Sequence, residues 1–547
     1  VSPLKRAAVA VFVVCFIAGA TPTAPPPYLQ ILPRPPHDLA SRAASQEDLA
    51  KFAWQEFLAL NWKASVDMAH PPSAANPRGT PDMTWNHSKP APQFPSPLVW
   101  QTYAQTTELR PNSPLVTPWN NLTLPNYSYS NAVAAGSGSF SLWNNLDEDN
   151  EIGSCDIYAQ YPTQKTPRDL VLFQVKVNRD EYEYIRTAFG ATQNIGPPAT
   201  PPNAPCPPNG LLCNAAAQVA KNIVSAPHAY YPGATSTCGP CPPGQAICLP
   251  CGAAGGAEGT IEVKSAWRRL LPGDIASHFY TTRAIYYDLN SANKIAYYND
   301  TFALVGMHII HKTANFPDFV FATFEQVDVE KSNSYYVTLD NSTNPPTETG
   351  TPTAIQRQVG TQTNRTQLHP VPATLDNVTT QVRAQLVGMN PGTVWQYYRL
   401  TGVYGASTDC PVNLNGVPES SKACIAAQNS LAAQCTASTL NPNYYMANFM
   451  VESDPGLNNF SGPGFAGSIF GNCQNTVYQG NLYNNGGCKG CHGVAQTAFG
   501  TDFSFLLDFG NNKPSIQPAT IHYVPPVTAT AKIKLKHYLD LVKTLQP

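Results

Sequence analysis

Cys488-Lys489-Gly490-Cys491-His492 carries the most specific chemical signal in this chain. Two thiols separated by two residues can each add across one vinyl group of the same porphyrin. The adjacent imidazole then sits beneath the iron as proximal ligand. Gly486, Gly487 and Gly493 flank the motif and let the backbone approach a macrocycle closely. The competing reading of the same residues is a redox or disulfide C-x-x-C with an incidental histidine. Only one C-x-x-C-H occurs, which excludes a multihaem wire or a two-haem peroxidase within this chain.

The other cysteines form a second pattern. Setting aside Cys15, Cys488 and Cys491, eleven remain: Cys155 alone, six between Cys206 and Cys251, and Cys410, Cys424, Cys435 and Cys473. In an oxidising compartment these read as disulfides, with roughly 15 possible connectivities for six cysteines and three for four. Cys238-x-x-Cys241 and Cys248-x-x-Cys251 could instead clamp a tetrahedral metal, although their separation is tight for a zinc ribbon. The odd count leaves Cys155 as the expected free thiol. The run Asp147-Glu148-Asp149-Asn150-Glu151 offers oxygen ligands for Ca²⁺ but has Ile152 where a calcium loop needs glycine. A solvated acidic loop is the favoured reading. The chain has no Gly-rich phosphate loop, no H-E-x-x-H and no G-x-S-x-G.

The elements that must position these groups are legible in part. Ser45-Gln46-Glu47-Asp48 resembles a helix cap, and Leu49, Phe52, Ala53, Phe57 and Leu60 follow at helical spacing. Between Asp169 and Asn178, Val171, Phe173, Val175 and Val177 alternate with Gln174, Lys176 and Asn178, which predicts a half-buried strand. A short helix starts at Arg179-Asp180-Glu181. Further strands are expected at Thr260–Lys264, Ala303–Lys312 and Phe319–Val329. The polar stretch Asp340 to Pro370 reads as a loop or linker. From about Tyr444 the pattern turns helical and closes with an amphipathic helix, Ala531–Leu545. Its Lys532, Lys534, Lys536 and Lys543 form either a solvated face or a docking face for an acidic redox partner.

The expected architecture is α+β: a large sheet-containing N-terminal body followed by a small all-α C-terminal domain. The divisions are a signal peptide over 1–20, a Pro-rich linker over 21–44, the body over 45–400 with a Pro/Gly/Cys-rich insert at 196–257, a Cys-containing connector over 401–463, and a haem domain over 464–547. Lys5 and Arg6 precede an apolar run from Ala7 to Ala18, and Ala18-Gly19-Ala20 supplies a small-residue cleavage site. At about a dozen residues the run is shorter than the ~20 needed to cross a bilayer, so a cleaved export signal is expected and no membrane span in the mature chain. Val1 reads as a non-AUG start and hence a bacterial gene, which puts the product in the periplasm or outside the cell. With 33 basic and 35 acidic residues in 547 and no Lys/Arg tract, no nucleic-acid partner that relies on a basic field is expected.

The motif Cys488–His492, within Gly486–Gly493 and ahead of a closing amphipathic helix, resembles the c-type cytochrome family. The likeness covers about Gly464 to Pro547, roughly a sixth of the chain. It implies a small helical fold, one covalent haem c per chain on Cys488, Cys491 and His492, and one-electron transfer with a redox partner that the sequence does not identify. The region preceding it, with His308-Ile309-Ile310-His311-Lys312 and Phe321-Ala322-Thr323-Phe324-Glu325, is similar to large exported bacterial cytochrome proteins of unassigned reaction. Family members usually supply a distal methionine downstream of the motif, and here no methionine follows Met450. His522, His537, Met446 and Met450 stay open as sixth ligands. His308 and His311 fall on opposite faces of their strand, so at most one could serve. A vacant sixth position would make the chain a haem oxidase or peroxidase. A third reading is a ligand- or partner-binding protein with a structural haem.

Overall fold

The structure is a computed structural model of the chain. It describes residues 27–41, 43–109, 115, 117–125, 144–146, 157–161, 170–189, 249–253, 256–289, 295–317, 319–329, 335–340, 347–354, 371, 373–405, 448, 450–451, 476–478, 481–483, 502, 504 and 506. Four helices are described: α1 (Gln46–Leu60), the one-turn α2 (Thr106–Leu109), α3 (Arg179–Phe189) and α4 (Ala373–Met389). The early strands are β1 (Ala104–Gln105), β2 (Asn145–Leu146), β3 (Ile157–Gln160), β4 (Leu172–Val177), β5 (Ile261–Arg268) and β6 (Thr281–Leu289). They are followed by β7 (Ile295–His311), β8 (Val320–Gln326), β9 (Tyr335–Asp340), β10 (Thr347–Ala354), β11 (Tyr398–Tyr404), β12 (Thr476–Tyr478) and β13 (Asn481–Tyr483).

Eight strands make one mixed sheet in the order β1-β4-β5-β7-β6-β2, with β8 added to β7 and β11 to β8. Within this sheet, only the β2–β6 pair is parallel among the described residues. The long strand β7 joins the parts: its C-terminal half lies between β5 and β8, and its N-terminal half pairs with β6. The sheet curls until β2 meets β4 through side chains, where Gln174 Nε2 donates to Asn145 O at 2.6 Å and Asn144 Oδ1 at 3.0 Å. A separate antiparallel sheet has the order β10-β9-β3, and β12 and β13 form a hairpin.

The cap read at Ser45 is present: Ser45 Oγ accepts from Asp48 N at 3.1 Å, and Asp48 Oδ2 accepts from Ser45 N at 3.0 Å. From there α1 lays Phe52, Trp54, Phe57 and Leu58 into an aromatic core shared with Phe324, Trp395 and Tyr398. Helix α4 packs beside it with Leu375, Val378, Val382 and Leu386 buried at helical spacing. Residues 27–41 carry no regular element but lie on this layer. The Leu29 backbone exchanges two 2.8 Å hydrogen bonds with the Gln385 carboxamide, and Asp38 accepts from the Asn315 side chain at 3.0 Å.

Two expectations are corrected. Strand β4 is buried on both faces rather than one. Its polar side is covered by the curl, and its side-chain donors find partners there: Lys176 Nζ donates to Gln101 O at 2.6 Å, as Gln174 Nε2 does to β2. Asp340 to Pro370 is not all loop, because β10 lies within it and pairs with β9. Threonines at 347, 349, 351 and 353 favour the extended chain, and Pro352 falls in the register break between Thr349 and Thr353, where no ladder donor is needed. Within 464–547 the described residues are the β12–β13 hairpin, Asp502, Ser504 and Leu506, and the helical expectation for the remainder lies outside the described residues. Among the described residues, no helix is long and apolar enough to cross a membrane.

Candidate functional site

Cys488, Cys491 and His492 lie outside the described residues, as do Met446, His522, His537, the acidic run Asp147–Glu151, the lysines of 531–545 and every cysteine of the disulfide pattern except Cys251. What is described is where the chain goes next. Asp502, ten positions after His492, is buried at one end of the main sheet, and Leu506 enters the principal core. Ten residues of extended chain reach at most about 36 Å, which bounds the distance from His492 to that point.

The sheet end is assembled by backbone crossings. Strand β4 stops at Asn178, which is clamped to the start of β5: its N–H donates to Ile261 O at 3.0 Å, and its carboxamide donates to Gly259 O at 2.7 Å. Helix α3 begins at the next residue, and its Asp180 accepts from Gly259 N at 2.8 Å. Gly259 has φ +86°, and a Cβ there would stand 2.1 Å from Gly252 N and 2.4 Å from Lys312 O. Gly252 N in turn donates to Lys312 O at 2.8 Å. Cys251 beside it is fully buried and disulfide-bonded, its partner lying outside the described residues. Only glycine permits this approach, so four stretches meet: 178–181, 251–253, 258–262 and 311–313.

This meeting sorts the charged residues onto two sides of the sheet. In β7, His311 is fully buried facing α1, where its Nδ1 is hydrogen-bonded to the equally buried Glu56 carboxylate, and Phe52 stacks on the ring at 5.5 Å. Its Nε2 lies 2.6 Å from Glu258 O, a carbonyl that can only accept, so Nε2 carries a proton. Burial alone would push the imidazolium down; the Glu56 charge and the two hydrogen bonds outweigh it and hold His311 above the ordinary histidine value.

Lys312 is the next residue and turns the other way, as consecutive residues of an extended chain do. Its ammonium pairs with the Asp502 carboxylate, which also accepts from Leu249 N at 2.6 Å. On the same side stand Glu262 of β5 and Glu181 of α3, both buried. Neither oxygen of Glu181 meets a hydrogen-bond donor. Burial first, then the Glu262 and Asp502 charges, raise its carboxyl well above the usual range. Among the described residues, no group of three His, Cys, Asp or Glu is arranged to hold a metal ion.

Two of the described candidates for a sixth haem ligand, His311 and Met450, are engaged elsewhere. Both nitrogens of His311 are engaged, and Met450 is sealed in a core with Tyr161, Phe173 and Val305. His308 is half-buried on the face opposite His311, as the strand period requires. Sequence reasoning missed Glu56, Glu181, Glu262 and Asp502. Glu56 left a signal, since it falls on the apolar stripe of α1 between Phe52 and Leu60. No family model matches this chain, and neither a curated protein nor a solved structure matches it.

Proposed function

We propose that this chain is an exported, periplasmic c-type cytochrome with one covalent haem, moving one electron at a time between redox partners. The observation that carries the reading is the single C-x-x-C-H run, Cys488 to His492. Its donor set suits the group: two thiols for two vinyl positions and one imidazole for the iron. The bound haem supplies the Fe(II)/Fe(III) couple. The protein's own part is attachment through Cys488 and Cys491, axial ligation through His492, and a tether. Asp502, paired with Lys312, fixes the chain to the sheet end ten residues after His492. The eleven further cysteines suit an oxidising compartment, where disulfides persist.

The test is acid–acetone extraction of protein exported to a bacterial periplasm, followed by the pyridine haemochrome spectrum. One haem per chain should stay with the polypeptide, and both Cys488→Ser and Cys491→Ser should weaken attachment. Haem that leaves with the solvent, or none at all, would overturn the reading. Carbon monoxide added to the reduced protein then separates its two forms. An unchanged spectrum means both axial positions are filled and electron transfer is the role. A shifted Soret band means an open iron and favours oxidase or peroxidase chemistry.

A further inference from the structure

We propose that Trp100, Trp267, Tyr280 and Trp395 form an electron-hopping path through the main core that carries an oxidising equivalent out to Tyr397 at the surface. The rings follow one another closely. Trp100 and Trp267 have centroids 6.1 Å apart, Trp267 and Tyr280 6.3 Å, and Tyr280 stacks on Trp395 at 5.4 Å. All three separations lie within the ~4.5–7 Å of aromatic rings in contact, so no gap interrupts the series. Trp395 and Tyr397 then share one short 3₁₀ turn, Val394–Tyr397. The four inner rings are buried and Tyr397 is half-buried.

Indole and phenol are readily oxidised rings, and an oxidised ring becomes a trap when a base takes its proton. Among the described residues, none of the four inner rings meets a base. Trp100 Nε1 donates to Asn61 Oδ1 at 3.1 Å and Trp267 Nε1 to Ser265 Oγ at 2.8 Å, both neutral groups. Trp395 Nε1 is buried and meets no acceptor among the described residues. Tyr280 donates to the carboxamide oxygen of Gln101 at 2.9 Å, and burial holds its phenol well above the ordinary value. The electron hole therefore stays mobile, with Tyr280 bridging two indoles rather than trapping it. Tyr398, which also touches Trp395 at 5.5 Å, is a closed branch, because its hydroxyl donates to Leu304 O at 3.0 Å inside the core.

Electrostatics sets the direction. A radical cation in the core is a buried charge, which is costly there. At the outer end Tyr397 stacks on His278 at 3.7 Å, and the Asp328 carboxylate, 2.6 Å from His278 Nδ1, places negative charge beside the stack. Gln326 fixes both partners, donating to His278 O at 3.1 Å and accepting from Asp328 N at 2.6 Å. The hole is made by a one-electron oxidant strong enough to oxidise indole. An electron then leaves Tyr397 to refill the inner ring, and the phenol proton passes to water. A soluble one-electron reductant, with a proton from water, restores the tyrosine.

The test is red-edge ultraviolet excitation of tryptophan in the full-length protein, in aerated buffer, with hexaamminecobalt(III) taking the ejected electron. A nitroso spin trap marks tyrosyl radicals, and peptide mass spectrometry locates the marks. The adduct should concentrate on Tyr397 rather than on Tyr28, which is also half-buried but lies under Lys51, off the path. Trp395→Phe keeps an aromatic ring in the core but one far harder to oxidise, so the Tyr397 adduct should fall about fivefold or more. Trp54→Phe leaves the path intact and should leave the adduct unchanged. Tyr397→Phe is a mild change at a half-buried ring, and it should move the damage inward, raising kynurenine at Trp395 and Trp267. Equal adducts on Tyr397 and Tyr28 overturn the path, as does an unchanged Tyr397 adduct in Trp395→Phe or no inward shift in Tyr397→Phe. The readout does not involve the haem, so the path and the cytochrome reading fail separately.

Discussion

His311 and Lys312 are neighbours in the chain, yet they anchor two buried charge clusters of different kinds. On the α1 side the charges are matched, although Glu56 Oε2 is a buried oxygen without a hydrogen-bond partner. One imidazolium meets one carboxylate, the second ring nitrogen has a carbonyl, and Phe52 covers the ring. On the α3 side the Lys312 ammonium pairs with Asp502, which arrives from 190 positions along the chain, while Glu181 is buried with no hydrogen-bond donor on either oxygen. A matched pair built from the first helix and a central strand has no low-cost alternative, so it acts as structure. The Lys312–Asp502 pair instead joins a strand end to a segment remote in sequence, beside a buried carboxyl that lacks a hydrogen-bond donor. The difference shows that two neighbours in one strand can meet quite unlike electrostatic surroundings, because alternate residues face opposite sides of the sheet.

The sharpest way to break this comparison is at the crossing both sides share. Gly259→Ala would strain a φ of +86° and drive a Cβ into the Gly252 and Lys312 backbones. We expect about 4 kcal/mol or more off the unfolding free energy in urea, with both clusters disturbed together. A loss under about 1 kcal/mol would mean that the crossing yields and that the two sides are not joined there.

The next largest effect separates them. Glu56→Leu leaves the His311 imidazolium buried without its counter-charge and should cost roughly 3–5 kcal/mol, whereas Glu56→Leu with His311→Leu should recover much of that. The raised His311 value adds a pH signature: its stability is fully present below the ordinary histidine value and lost as pH rises through the raised one. Urea midpoints from about pH 6 to 9 should show this slope in the wild type and not in the double variant. Equal losses for the single and double variants would show that the two residues are not energetically coupled.

How much of this was readable beforehand follows the same division. The capped start of α1, the apolar alternation of β4 and the C-terminal half of β7 are local patterns that lie where periodicity put them, although β7 begins at Ile295, eight residues before the expected start. Helix α4 left a clear signal too, with Leu375, Val378, Val382 and Leu386 one turn apart, but the Thr- and Asn-rich sequence around it masked the reading. The two-sided burial of β4 was not local: Gln174 and Lys176 look solvent-facing until the curl brings β2 and Gln101 over them. Glu262, in an alternating strand, also reads as outward-facing, because nothing near it in sequence announces that α3 and Asp502 cover that face. Cys488, Cys491 and His492 are the reverse case, with chemistry specific in five residues and positions outside the described residues.

The smallest expected effect tests whether the matched side depends on local helix stability at all. Ser45→Ala removes the oxygen that accepts from Asp48 N at 3.1 Å, and N-cap losses of this kind cost about 1 kcal/mol. The hydrogen bond from Ser45 holds the Asp48 carboxyl below its ordinary value, so that value should return toward normal in the variant. Glu56 lies about three turns further on, where α1 is fixed by Trp54 and Phe57 against Phe324. Fraying of the first turn should therefore stop short of it. Urea midpoints should fall slightly and in parallel across about pH 6 to 9, with the His311-dependent slope intact. A changed slope would show that the cap, eleven residues away, helps to place Glu56, and the matched cluster would then be less self-contained than its packing implies.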